Sequence, residues 1–300
     1  MSSRRWRKRP RFPESAPPSS STAATPFFST GSLPQVSETA KQRIRKRFSR
    51  AAGTYDAHAE VQKDLAARLF RELPEDSGVE RSEGVRRILE IGCGTGRFTA
   101  LLAERYPEGR IIALDFAEGM ARLAQKRLAD KGNVSVLCED GERFLAACSG
   151  HFELICANST LQWFDDLGAA LARIGRLLSA QGCFAGVLFG PRTFSELAQG
   201  LSQVFGQEVR LPPHGFPAGE DLAGLLGAIF PRFVVQEEIK VRNYGSLLAL
   251  LDHIRKTGTG GGQLPGALTR GRLRQLDGWF QATHGGYPAT YQAFVVRGEK

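Results

Sequence analysis

The residues best suited to chemistry in this sequence sit in the run Ile88-Leu89-Glu90-Ile91-Gly92-Cys93-Gly94-Thr95-Gly96. An apolar strand there ends in a carboxylate, Glu90, and three alternating glycines. Glycine at 92, 94 and 96 lets a ligand lie against the backbone across the strand end, where a side chain would hold it away. The spacing is GxGxG, which departs from the GxGxxG pattern that aims a helix N-terminus at a pyrophosphate. A zwitterionic ligand without phosphate suits it better. Two more carboxylates follow in order. Asp115, nineteen residues beyond Gly96, closes the next strand, where it would accept hydrogen bonds from both hydroxyls of a ribose. Asp140 with Gly141 follows the third strand, where a carboxylate would accept from an adenine amino group.

These residues need elements that bring three strand ends side by side, and the hydrophobic pattern supplies them. Strands are expected at Arg87 to Ile91, Arg110 to Asp115, Val134 to Cys138, Phe152 to Ala157 and Gly182 to Phe189. Helices are expected at about Arg97 to Arg105, Glu118 to Lys131 and Leu167 to Leu178. Alternation of this kind argues a doubly wound α/β domain whose parallel sheet is covered on both faces. Ahead of it, Lys41 to Phe70 has helical periodicity broken near Gly53, which predicts two helices. After Gly190 the alternation stops. Helices at Thr193 to Phe205, Ala218 to Ala228, Leu247 to Lys256 and Arg270 to Gln281 separate strands near Val234 to Val241 and Tyr291 to Val296. The expected whole is a mostly parallel, seven-stranded sheet with helical insertions, at about 190–230 and 243–285, over the carboxyl ends of the strands where such sheets bind ligands. The organisation reads as an extension over 1–36, helices and a connector over 37–84, and the main domain over 85–300.

The net charge of +9 resembles a nucleic-acid signature until it is located. Residues 1–50 hold twelve Lys/Arg against two acids, and residues 51–300 hold 28 against 29, so the basic excess lies at the N-terminal end and no nucleic-acid partner is expected for the body. Residues 1–36 are Arg-rich, then Ser/Pro/Thr-rich, a composition that offsets little ordering entropy and predicts disorder. No apolar run reaches the length of about 18 residues that a membrane span needs, so no membrane partner is expected. The five cysteines (Cys93, Cys138, Cys148, Cys156, Cys183) show no CxxC pairing, which favours a reducing cytoplasm. The five histidines lack metal-ligand spacing, and no metal is expected. Oligomeric state is open.

Taken together, the glycine loop, Asp115 and Asp140 resemble the S-adenosylmethionine pocket of class I methyltransferases over about Arg87 to Phe189. More specific runs lie on either side. Arg47-Phe48-Ser49-Arg50-Ala51-Ala52-Gly53-Thr54-Tyr55 with His58-Ala59 and Gln62, then Asn158-Ser159-Thr160-Leu161-Gln162-Trp163, resemble the malonyl-[acyl-carrier protein] O-methyltransferases of biotin synthesis. So do Thr257-Gly258-Thr259-Gly260, Leu268-Thr269-Arg270 and Tyr287-Pro288-Ala289-Thr290-Tyr291.

That resemblance implies S-adenosylmethionine as methyl donor and the free carboxylate of a malonyl thioester, on acyl-carrier protein or coenzyme A, as acceptor. The product would be the methyl ester that primes pimeloyl synthesis. A carboxylate is ionised at neutral pH and needs no general base, so catalysis by positioning is expected, with no acid/base residue. The resemblance implies cofactor contacts from Tyr55, Gln62, Glu90, Gly92, Gly94, Gly96, Asp115, Asp140, Gly141 and Asn158, with Tyr55 part of a lid. For the acceptor, Arg255 and then Arg192 are the candidate cations, and Gln162 and Trp163 would line the acyl channel. Arg270, Arg272 and Arg274 are candidates to meet an acidic carrier protein. The shared cofactor loop leaves another small carboxylic acid, or a quinone precursor, as the alternative acceptor. An RNA methyltransferase acting on an amino nitrogen would show an Asn/Asp-Pro-Pro-aromatic turn after the fourth strand, and Asn158-Ser159-Thr160-Leu161 stands there instead.

Overall fold

The computed structural model describes residues 39–75, 85–260 and 264–300, so the extension over 1–36 and most of the connector up to Gly84 lie outside the described residues. The described residues belong to one compact unit. Seven strands form a single sheet in the order β3-β2-β1-β4-β5-β7-β6. These are β1 (Arg87–Ile91), β2 (Arg110–Asp115), β3 (Val134–Cys138), β4 (Phe152–Asn158), β5 (Leu178–Phe189), β6 (Arg232–Tyr244) and β7 (Tyr287–Glu299). The first five are parallel, and β7 slots antiparallel between β5 and β6. This is the doubly wound, mostly parallel sheet expected from the alternation. β1, β4 and β5 run as continuous apolar segments because both their faces are buried.

Ten helices cover this sheet among the described residues: α1 (Ala40–His58), α2 (Glu60–Glu72), α3 (Arg97–Arg105), α4 (Glu118–Arg127), α5 (Gly141–Ala147), α6 (Leu167–Leu177), α7 (Ser195–Phe205), α8 (Gly219–Gly227), α9 (Leu247–Lys256) and α10 (Arg270–His284). One core cluster joins α2, α3, α7, α9 and α10 to one face through residues such as Leu65, Leu102, Leu201, Leu250 and Phe280. Another joins α5, α6 and α8 to the opposite face through Leu145, Ile174 and Leu226. The direction of chain progression reverses between β1 and β4, which places a crevice at their carboxyl ends.

Several boundaries differ from the periodicity. The first two helices part at Ala59 (φ −81, ψ 48), not at Gly53, which stays inside α1. The cost of an interior helical glycine, about 1 kcal/mol, is offset by the packing of Ala51, Ala52 and Tyr55 on either side. Helix α5 was not expected. At seven residues it is too short to display a period, and its one sequence signal, Asp140 accepting from the amides of Glu142 and Arg143, is an N-cap. The last two strands are longer than their apolar cores, because paired backbone continues into polar residues along a sheet edge. Helix α4 stops at Arg127, short of Lys131, and β5 begins at Leu178 directly after α6.

Candidate functional site

Helix α1 begins at a Thr39 capping box and lies along the crevice. Lys41, Phe48 and Tyr55, at successive seven-residue intervals, all face it, which is the two-turn repeat of one helix face. At 1.5 Å per residue the three span about 21 Å. Below them is a cavity of about 660 Å³, counting its open mouth, floored by Ile91, Gly92, Gly94, Asp115 and Asp140 and walled by Phe116, Met120, Trp163 and Phe164. A second lobe of about 460 Å³ continues past Tyr55 to Gln62, Glu90 and Arg97. Tyr55, Gly92, Gly94 and Asn158 border both lobes, so the two form one elongated cleft.

Each expected cofactor residue has a definite place. Asp115 is buried at the end of β2, its Oδ2 accepting from Gly94 N at 2.9 Å and its Oδ1 from Ala117 N at 2.8 Å. Each oxygen keeps a lone pair for another donor. Burial pushes its carboxyl up to about 7, against the pull of those two amides. Glu90, 1% exposed, is likewise pushed up to about 7, first by burial. Its Oε2 has no protein partner, and neither has the buried Oε1 of Gln62 in the same lobe. Asn158 at the end of β4 donates to the Gln62 carbonyl at 3.3 Å, tying β4 to α2. Burial also raises the Tyr55 phenol, so it stays protonated.

The three glycines divide the labour differently from the sequence expectation. All have positive φ, +78, +56 and +82 for Gly92, Gly94 and Gly96. A Cβ on Gly92 would lie 2.0 Å from Thr160 Oγ1, and one on Gly96 would press on Ala124 at 3.0 Å. Only at Gly94 would a side chain meet nothing within 4 Å, and that position borders both lobes. Gly94 therefore keeps the backbone open to a ligand. Gly92 and Gly96 are required by protein packing.

Asp140 and Gly141 border the far end of the larger lobe. Asp140 Oδ2 pairs with Lys41 at 2.8 Å, and Lys41 also reaches Glu142 and lies over the Phe164 ring. Trp163 lines the cavity, edge-on to Phe48 at 5.7 Å and to Phe216 at 4.9 Å. Gln162 is buried behind it, donating to Ser159 O at 2.8 Å with its Oε1 left without a partner. The two candidate acceptor cations are elsewhere. Arg255 is 75% exposed and pairs with Asp252 of its own helix at 2.5 Å. Arg192 is 64% exposed and lies 3.9 Å from Glu237. Neither lines the cleft. Of the α10 arginines, Arg272 stacks on Phe205 and donates to Ala267 O at 2.9 Å.

Sequence reasoning did not assign Lys41, Phe116, Met120, Ser159 or Thr160 to the site, although each lines it. The repeat Lys41, Phe48, Tyr55 was legible in principle as a helix face, whereas Ser159, in the left-handed region at φ 57, gives no signal in composition or period. Among the described residues, no group of three or more His, Cys, Asp or Glu is arranged to hold a metal ion, and no helix is long and apolar enough to cross a membrane.

The buried, unpartnered oxygens of Glu90 and Gln62 at one end, Asp115 in the middle and an apolar slot ending at Asp140 fit a ligand with an ammonium group, a ribose and a flat base. The sequence family described as a methyltransferase domain matches residues 88–182. The fold is shared with a solved structure, the YcgJ protein of Bacillus subtilis, at a TM-score of 0.51 and 17% identity, covering 79% of this chain and 98% of that one. Fold and site thus define an S-adenosylmethionine-dependent methyltransferase of class I. A malonyl-[acyl-carrier protein] O-methyltransferase from Acetivibrio thermocellus is 32% identical over 278 residues, 87% of this chain and 94% of the relative. One from Priestia megaterium is 32% identical over 230 residues, 73% of this chain and 81% of the relative. The chain belongs to the malonyl-[acyl-carrier protein] O-methyltransferase family.

Proposed function

We propose that this enzyme methylates the free carboxylate of a malonyl group held as a thioester on acyl-carrier protein, giving the methyl ester that primes pimeloyl synthesis for biotin. What carries the reading is similarity over almost the whole folded chain to proteins named for that reaction. The cleft is compatible with it. No histidine lines either lobe among the described residues, and a carboxylate acceptor, being ionised already, requires no proton to be removed.

S-adenosylmethionine supplies an electrophilic methyl group on a cationic sulfur. The residues of this chain act by holding and excluding. Glu90, with Gln62 and Asn158 beside it, is suited to the ammonium end, Asp115 to the ribose hydroxyls, and Asp140 with Gly141 to the base. Tyr55, at the boundary of the two lobes, covers the reacting centre. Phe48, Trp163 and Phe216 make an apolar wall that keeps water from it. Alignment of this kind accounts for about 7 to 11 kcal/mol of a barrier in favourable cases. Arg255 and Arg192, each paired with an acid outside the cleft, are not needed to hold the acceptor, because a tight ion pair would stabilise the ground state more than the transition state. The five cysteines, all free, suit a reducing compartment, and the reading locates the enzyme in the cytoplasm.

The test is transfer of labelled methyl from S-adenosylmethionine to malonyl-carrier protein, with acetyl-carrier protein as the control lacking a free carboxylate. Base-labile label on the malonyl form alone is expected. Label on neither form, with the cofactor still bound, would overturn the choice of acceptor.

A further inference from the structure

Helix α1 rests on the molecule by two flanks. On one, Ser49 accepts from Gly119 N at 2.8 Å, Ala52 packs on Met120 and Asp56 pairs with Arg127. On the other, Arg47, Ala51, Thr54 and His58 follow the spacing i, i+4, i+7, i+11 and share one line down the helix. Three of these four meet α9 or the turn that ends it. His58 lies edge-on to His253 with ring centroids 6.3 Å apart, and Thr54 donates to the Lys256 carbonyl at 3.0 Å. A Cβ on Gly258 would come within 3.3 Å of that of Ala51. Arg47 is the fourth, one turn further toward the start of α1. Its Nε is buried without a hydrogen-bond partner, while the residue as a whole is only half-buried. Burial, and then the like charge of Arg43, pull its guanidinium below the ordinary arginine value. Its neighbour in the chain, Phe48, faces the cleft and stands edge-on to Trp163.

Taking part of a guanidinium out of water without pairing it is costly, and a donor left in that state marks a place completed by an anion from outside the chain. Distance decides which anion. Tyr55, at the junction of the two lobes, is eight residues from Arg47, about 12 Å along the helix axis. A helical side chain also leans toward the N-terminus, which lengthens the gap. Arg47 is thus too far from the reacting centre to hold the carboxylate that is methylated. A malonyl group on a carrier hangs from a phosphopantetheine arm, whose other anion is the phosphodiester at its far end. We propose that Arg47 binds that phosphate and lays the arm beside α1, with Phe48 and Trp163 as the next surface it meets. The proposal rests on the acceptor assignment above and adds to it the residue that recognises the arm. A guanidinium fork matches two phosphate oxygens. Gripping the acceptor at its remote end orients it without pairing the nucleophile itself. Coenzyme A carries a phosphate at the same place in its arm, so the shared chemistry is a pantetheine phosphate, and the choice of acceptors separates its two sources.

The experiment measures methyl transfer by the full chain and by its Arg47→Gln variant to malonyl-pantetheine, which lacks the phosphate, and to malonyl-phosphopantetheine, malonyl-coenzyme A and malonyl-carrier protein, which have it. For Arg47→Gln the expected result is a KM raised roughly tenfold for malonyl-phosphopantetheine and for the carrier form, with KM for malonyl-pantetheine and for S-adenosylmethionine within about twofold of the parent. Arg47→Lys, which keeps the charge without the fork, should fall between parent and variant. A rise for malonyl-coenzyme A with none for the carrier form keeps the phosphate site and makes the coenzyme its source. An equal rise for malonyl-pantetheine overturns the proposal, since Arg47 then serves the carboxylate or the fold. An unchanged KM for every acceptor overturns it as well. Methylation of none of the four by the parent, with the cofactor still bound, overturns the acceptor assignment and the phosphate site with it.

Discussion

Two buried carboxylates, Glu90 and Asp115, set the pH behaviour of the cleft. For Glu90 the cost of burying its charge is absent below its ordinary value of 4.5, grows as pH rises, and is complete above about 7. The empty protein is therefore less stable at alkaline pH than it would be without this group. A rise of that size converts to about 3 kcal/mol at roughly 1.4 kcal/mol per unit. Glu90→Gln is expected to raise the melting temperature of the cofactor-free protein at about pH 8, and calorimetry across pH would show the gain shrinking toward acid. Binding runs the other way. A ligand with an ammonium and a sulfonium favours both carboxylates ionised, so its affinity should fall as pH drops below about 7, by up to about tenfold per unit for each group. Titration calorimetry with S-adenosylmethionine should show Glu90→Gln with a weaker and flatter profile. Asp115→Ala should lose affinity further while keeping its fold. An affinity independent of pH between about 6 and 8 would remove both carboxylates from the ligand's contacts.

Helix α1 joins roof and latch in one element, and its two ends respond differently to substitution. Gly53 lies in its interior, exposed, with nothing within 4 Å of where a Cβ would stand. Gly53→Ala is expected to stabilise the protein by about 0.5 to 1 kcal/mol, read as a shifted denaturation midpoint with the activity unchanged. At the other end Lys41 bridges Asp140, Glu142 and Asp165, fastening the first turn over the Asp140 end of the cleft. Lys41→Met keeps the apolar stem over Phe164 and removes the charge. It should speed release of S-adenosylhomocysteine roughly fivefold, measurable through the fluorescence of Trp163 in the cavity wall, with KM for the acceptor unaffected. An unaltered release rate would mean that the bridge is incidental. These features mark where sequence reasoning reached and where it stopped. The sheet and the order of Glu90, Asp115 and Asp140 were legible because strands ending in glycine or a carboxylate leave a local trace. The break at Ala59, the short helix α5 and the distance of Arg255 from the cleft were not. Each is decided by packing between segments far apart in the chain, and a helix-end arginine looks the same from sequence whether it faces a ligand or pairs with an acid three residues before it.

At the scale of the whole molecule, ligand binding must join α1 to the sheet, because the cleft has its floor on β1, β2 and β4 and its roof on α1. Roof and floor are already linked by a few polar contacts. Asp56 accepts from Thr95 at 2.6 Å and pairs with Arg127 at 2.5 Å, and Gly119 N donates to Ser49 at 2.8 Å. The roof also packs Phe48, Ala52 and Tyr55 against Ala117 and Met120, sets Phe48 edge-on to Trp163, and has Thr54 donating to the Lys256 carbonyl at 3.0 Å. With so small an apolar contact, α1 belongs to the part of a fold that opens locally at less cost than global unfolding. A ligand filling the cleft stabilises the closed form by about 2.7 kcal/mol at a hundredfold excess over its dissociation constant, which lowers the open population roughly a hundredfold. Trypsin provides the readout, since Lys41 to Arg50 offers six cleavage sites on this one element. Cleavage at Arg45, Lys46 and Arg50, followed by mass spectrometry, should slow sharply with saturating S-adenosylhomocysteine, while sites on α10, away from the cleft, slow only as far as the whole fold is stabilised. Equal protection at both places would mean that α1 does not open on its own, and that the cofactor enters by a route other than beneath this helix.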